Sequence, residues 1–178
     1  VNIHNWLGII MVKYFFKHII LSIIIALPII YVAQAEQLKI PRFAAIKSSK
    51  MNSRIGPGFD YPVIWHYWRK NMPVEIVEEY DQWRKIRDID NDTSWVYQSL
   101  LSGSRTAIIQ DGGVEDMRFL PILTSCRSDA HIISKAEQGT IVKLKSCDGI
   151  WCYINVGKIF GYVQEDKLWG VYKKEIIK

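Results

Sequence analysis

After residue 35 the chain holds only three cysteines, Cys126, Cys147 and Cys152, and two histidines, His66 and His131. A structural zinc site needs four ligands, commonly two pairs of the CxxC type, and no second pair accompanies CDGIWC at 147–152. A redox motif fails too: four residues separate these cysteines rather than two, and the YINV that follows is strand sequence with no helix N-terminus to lower a thiol pKa. No convincing amphipathic helix occurs after residue 36. A long basic stripe is also missing. The runs WRK at 68–70 and WRKIR at 83–87 are the only ones with aromatic neighbours, and the basic residues interleave with acidic ones, which leaves no argument for nucleic acid.

What is present begins with an export signal. KYFFKH at 13–18 supplies positive charge, IILSIIIALPIIYV at 19–32 is continuously apolar, and AQA at 33–35 puts small residues where a signal peptidase reads. The apolar run is about fifteen residues long, whereas a spanning helix needs about twenty. Residues 1–35 therefore read as a signal peptide helix cleaved between Ala35 and Glu36, with membrane contact only before cleavage. The ten residues before Met11 read as an upstream extension. Cleavage removes two lysines from the 23 basic residues and none of the 18 acidic ones, so the mature chain is only slightly basic. It enters an oxidising compartment, periplasmic or secreted, where disulfides persist.

The second feature is an internal duplication. Shifted by 68 residues, NMPVEIVEEYDQWRKI at 71–86 lies on GTIVKLKSCDGIWCYI at 139–154 without a gap, with Val74 on Val142, Ile76 on Leu144, Trp83 on Trp151 and Ile86 on Ile154. Apolar positions alternate in both copies, as half-buried strands require. Cys147 falls on Glu79 and Cys152 on Arg84, so one copy carries opposite charges where the other carries cysteines, the pattern of facing residues on a hairpin. The favoured reading of CDGIWC is thus a disulfide across a hairpin, although three cysteines allow three single bridges. Cys126 is left over.

The segment RIGPGFDYPVI at 54–64 places Pro57-Gly58 at the centre of a turn, with Gly58 free to take positive φ. The expected organisation is all-β: signal peptide 1–35, an N-terminal linker 36–45, and two units of short strands at 46–107 and 108–178 that pack together because each alone is marginal in size.

The combination of RIGPGFDYPV, PVEIVEEYDQWRKIRD, WVYQSLLSG and CDGIWC resembles the exported bacterial SH3-like domain proteins of alphaproteobacteria, over nearly all of the mature chain. The resemblance implies two tandem SH3-like small β-barrels and a binding role in the cell envelope without a defined activity. This sequence departs from the family pattern at Ser94, where a loop glycine is usual, and at IWHYW, 64–68.

The residues do not fit catalysis or calcium binding. Cys126 and His131 stand five residues apart with no further domain to build a helix-borne nucleophile and an oxyanion hole, so they read as a buried thiol and a surface histidine rather than a catalytic pair. In DIDNDTSWVYQS at 88–99, Asp88, Asp90 and Asp92 occupy calcium-loop positions, but Thr93 stands where glycine is needed and Ser99 where a bidentate Glu is needed. The chain is read as a non-enzyme with no cofactor and no metal site. The binding candidates are aromatic: Tyr61, Trp65, Tyr67 and Trp68, with Trp95 and Tyr97 on a later strand. Alternation puts Trp65 and Tyr67 on one face and His66 and Trp68 on the other. The expected partner is peptidoglycan, above all its stem peptides, or an envelope protein; the rival is a scaffold that dimerises or docks a partner through the same aromatic surface.

Overall fold

The computed structural model describes residues 38–110 and 118–178, so the expected signal peptide and its Ala35–Glu36 cleavage site lie outside the described residues. The described chain is almost wholly antiparallel β-structure. Among the described residues no helix is long and apolar enough to cross a membrane.

Seven strands build the first sheet: β1 (Arg42–Ile46), β2 (Met51–Arg54), β3 (Val63–Tyr67), β4 (Pro73–Tyr80), β5 (Trp83–Arg87), β6 (Thr93–Tyr97) and β7 (Leu101–Ser102), in the order β3-β2-β6-β5-β4-β1-β7. The second is built from β8 (Thr106–Ile109), β9 (Phe119–Leu123), β10 (Ile132–Glu137), β11 (Ile141–Asp148), β12 (Trp151–Val156), β13 (Ile159–Gln164) and β14 (Leu168–Trp169), in the order β10-β9-β13-β12-β11-β8-β14, with β15 (Ile176–Ile177) added on β11. Every strand index of the first order is raised by seven in the second. The registers agree as well: Glu79 faces Arg84 and Cys147 faces Cys152, each just past a bulge at Ile76/Glu78 or Leu144/Ser146.

Alternation explains why these segments are strands. Val74, Ile76, Ile86 and Val96 point inward with Ile46 and Met51 to form one core; Val142, Leu144, Ile154 and Val163 join Ile109, Ile122 and Leu168 in the other. Two sequence-derived boundaries shift. Arg42–Ala45 belongs to β1, with Ala44 and Ala45 buried between β4 and β7, so the linker is shorter than 36–45; and Thr106 and Ala107 belong to β8 of the second sheet. Both follow from β1 and β8 lying inside their sheets, where a buried strand carries small or apolar residues instead of an amphipathic stripe.

One core substitution is matched across the two sheets. Ser94 is buried inside β6, not in a loop, and its counterpart by register is Gly161 of β13. Ser53 of β2 corresponds to Ile122 of β9. A Cβ on Gly161 would come 2.5 Å from Ile122 Cγ2 and 2.7 Å from the Leu123 carbonyl oxygen, so the large isoleucine requires the glycine. Gly161→Ala is therefore expected to cost about 1–3 kcal/mol by overpacking, and Ile122→Ser in the same chain is expected to make the alanine less harmful. Thermal unfolding of the two single variants and the double variant measures that coupling.

The two sheets meet along β1 and the C-terminal segment. Phe43 packs edge-on against Trp169 at 5.3 Å and tilted against Tyr172 at 4.8 Å, and Tyr172 donates its hydroxyl to Glu75 Oε1 at 2.8 Å. Burial first, then that hydrogen bond, push the Tyr172 hydroxyl pKa well above its ordinary value. Arg105 donates to both carboxylate oxygens of Glu175 and to the Gly170 carbonyl, which ties the C-terminal segment to the strand junction.

Candidate functional site

At the end of the β11–β12 hairpin Cys147 and Cys152 are bonded, with Cα atoms 4.1 Å apart. Asp148 organises the turn between them by accepting the N–H groups of Trp151 at 2.7 Å and Ile150 at 2.9 Å. Those two donors, Trp151 first, hold its carboxyl below the usual carboxylate range. Gly149 supplies the left-handed backbone that the turn needs, at φ 91°. In the first sheet the matching rung is an ion pair, Arg84 Nε to Glu79 Oε1 at 3.0 Å, and Arg42 joins it from β1.

The expected aromatic surface divides. Trp65 and Trp68 are 47% and 63% exposed, and Tyr61 also reaches solvent. Tyr67 and Trp95 do not belong to an exposed surface: each is only 8% exposed. Tyr67 faces the buried Met51 across β2, and its hydroxyl donates to Asp88 Oδ2 at 2.9 Å. Asp88 is buried and its other oxygen accepts the N–H groups of Asp90 and Asp92, so this carboxylate is committed to closing the β5–β6 turn. Burial, then the Asp88 hydrogen bond, push the Tyr67 hydroxyl well above its ordinary pKa. A raised folded-state pKa contributes stability that is fully present below the unfolded value and is lost as pH rises above about 10. The expected result is an alkaline decline in stability that Tyr67→Phe makes shallower, together with a loss of about 1–3 kcal/mol at neutral pH because Asp88 Oδ2 is left without its donor. Denaturant melts from pH 7 to 11 read both effects.

Gly58 does not take positive φ, contrary to the turn expected at Pro57-Gly58. The glycines serve a different need. A Cβ on Gly56 would lie 2.5 Å from the Tyr61 ring and one on Gly58 would lie 3.2 Å from it, so both make room for Tyr61 to fold onto its own loop. Arg54 pins the loop by donating to the Tyr61 carbonyl at 2.6 Å.

This folding of the loop turns Phe59 back over the sheet. Its ring sits 5.0 Å from Trp83 and 5.6 Å from Tyr97, and those two rings are 5.6 Å from each other and nearly perpendicular. Trp83 is buried, Tyr97 half-buried, and Phe59 is 68% exposed. The three rings line a groove of about 340 Å³ whose rim carries Arg54 and Lys50 and, among the described residues, is lined by no acidic side chain. Arg54 lies 5.7 Å from the Phe59 centroid, and Lys50 Nζ lies 4.8 Å from that of Trp68. Of the sequence candidates, only Tyr97 lines the groove directly. The sequence alone does not single out Phe59 or Trp83, which enter it as part of a turn segment and as a matched position of the duplication.

Cys126 is exposed rather than buried, in the loop between β9 and β10. Among the described residues no group of three His, Cys, Asp or Glu side chains is placed to hold a metal ion.

Residues 47–103 match the family model described as "Bacterial SH3 domain". No curated protein matches the chain. Among solved structures it is similar to NlpC2 from Trichomonas vaginalis, with 15% identity and a TM-score of 0.33 over 75% of this chain and 49% of that one. It is similar also to NlpC1 from the same organism, with 14% identity and a TM-score of 0.32 over 75% and 47%. The chain thus spans about half the length of those structures.

Proposed function

We propose, from the match of residues 47–103 to the bacterial SH3 domain model, that the chain is a non-catalytic binding module of the bacterial cell envelope that recognises a peptidoglycan stem peptide in the groove under Phe59. The observation that carries this reading is the convergence of Phe59, Trp83 and Tyr97 on one concave surface rimmed by two cations. Apolar ring faces hold the methyl and methylene groups of a short peptide, and Arg54 and Lys50 attract its carboxylates. The Cys147–Cys152 bridge supports a location outside the cytoplasm, where such bonds persist. The second sheet, with its matching strand order, is read as a second SH3-like module.

Retention on purified sacculi at physiological salt tests the proposal. The native chain and Trp65→Ala are expected to be retained, since Trp65 does not line the groove, while Phe59→Ala is expected to wash off. Equal retention of all three, or of none, removes the groove as the cell-wall site.

The rival, a scaffold that dimerises or docks a partner through the aromatic surface of the first sheet, is favoured further by the outer face of the second, where Tyr153 packs at a tilt against Tyr162 at 4.9 Å and lies 6.2 Å from Phe160. It requires a sedimentation coefficient that rises with concentration and no retention on sacculi.

A further inference from the structure

We propose that the second sheet carries a separate saccharide site at the position equivalent to the aromatic groove, a reading that rests on the envelope function above for its choice of glycan. The equivalence is geometric. Arg54 faces Val63 as Leu123 faces Ile132, and Trp83 faces Tyr97 as Trp151 faces Gln164. The loops also agree: the N–H of Ile55 donates to the Pro62 carbonyl, as that of Thr124 donates to His131, and Gly58 donates to Gly56 as Arg127 does to Ser125. A groove of about 270 Å³ lies there.

Its chemistry is not that of its counterpart. The tryptophan is kept, but Ser128 stands where Phe59 stands, Gln164 where Tyr97 does and Leu123 where Arg54 does. With Phe59 gone no ring covers the indole. Trp83 is buried under two aromatic partners, whereas Trp151 is half-buried and, among the described residues, has no aromatic partner. It also borders an outer cavity with Asp129 and Gln164. The polar groups around it include both donors and acceptors. The Gln164 carboxamide has no side-chain partner among the described residues. Asp129 is held by a two-point contact with Arg127, and Lys167 lies 3.4 Å from Asp166.

An accessible indole ringed by amide, hydroxyl, carboxylate and ammonium groups suits a pyranose. The axial C–H face of the sugar carries partial positive charge and meets the negative face of the ring, while its equatorial hydroxyls each donate and accept, which a mixed rim satisfies. Charges of both signs at the rim give neither an anionic nor a cationic peptide a net attraction, so a neutral ligand is favoured. In a cell envelope the neutral polymer of matching chemistry is a chain of β-linked N-acetylated hexosamines.

The test is calorimetric titration of the exported chain with the β-1,4-linked N-acetylglucosamine tetramer, and separately with a stem peptide. The tetramer is expected to bind saturably, about tenfold more weakly to Gln164→Ala and at least as weakly to Trp151→Ala, with Phe59→Ala unchanged. Gln164 is exposed, so its variant keeps the fold and decides the matter if Trp151→Ala unfolds. Absence of saturable tetramer binding, binding indifferent to Gln164→Ala, or binding lost in Phe59→Ala each overturns the saccharide site. Peptide binding without tetramer binding overturns it alone; tetramer binding without peptide binding upholds it and removes the peptide reading of the first groove.

Discussion

Replacing the bridged pair by Cys147→Ala/Cys152→Ala is expected to lower the melting temperature by about 5–10 °C. The bridge closes a short loop, and in the chain-entropy model that alone removes about 2 kcal/mol of denatured-state freedom. Both cysteines are also buried in the second core, Cys152 fully, so alanine leaves unfilled volume whose cost adds to the total. The first sheet provides an internal control, since Glu79 and Arg84 occupy the same rung as the bridged pair. Glu79→Cys/Arg84→Cys is expected to oxidise to a second bridge and to gain about 1 kcal/mol, less than a bridge alone because the Arg42–Glu79–Arg84 cluster is lost. A bridge that forms but lowers stability would show that the partly buried ion cluster is the stronger fastener. A melting temperature unmoved by reduction would show that the second sheet does not depend on its staple.

The second large effect concerns the groove. Phe59→Ala and Tyr97→Ala are each expected to weaken stem-peptide binding by about tenfold or more, the scale of a central aromatic anchor in a small interface. Phe59 is mostly exposed and Tyr97 half-buried, so neither change threatens the core, unlike substitution of Trp83. Arg54→Gln is expected to cost less, about threefold, and to flatten the salt dependence, because a half-buried cation at a solvent-facing rim acts largely through screened attraction. Calorimetry at two ionic strengths separates the anchors from the steering charge. If Arg54→Gln proves as damaging as Phe59→Ala, its hydrogen bond to the Tyr61 carbonyl, which holds the loop, is the part that matters.

The sequence reads most clearly where period-two alternation continues through a turn. The 68-residue shift aligns Trp83 with Trp151 and the Glu79–Arg84 pair with Cys147–Cys152, and the strand registers place those residues on matching rungs. The disulfide was legible for that reason. The groove was less so. Phe59 lies in a turn, where alternation says nothing about side-chain direction, and its loop is offset from its counterpart by 69 residues instead of 68, so the hairpin alignment sets Phe59 against Arg127 when the backbone sets it against Ser128. The signal available was the pair of glycines before an aromatic, Gly56 and Gly58, which clears space for the Tyr61 ring. The assignment of Trp65 and Tyr67 to one face holds in direction but not in burial. β3 is an edge strand, and the core extends under Tyr67, opposite Met51, and not as far as Trp65 at the bulge. Alternation tells which way a side chain points; how far the core reaches beneath an edge depends on the neighbouring strand.

One titration probes the groove most directly: backbone amide spectra of the isotope-labelled chain, recorded as a stem peptide is added. Shifts concentrated at Lys50, Arg54, Phe59, Trp83 and Tyr97, absent in the Phe59→Ala variant, are the expected result. A spectrum that stays still at saturating peptide, or that moves at Trp65 and the outer face of the second sheet instead, would overturn the groove as the binding site.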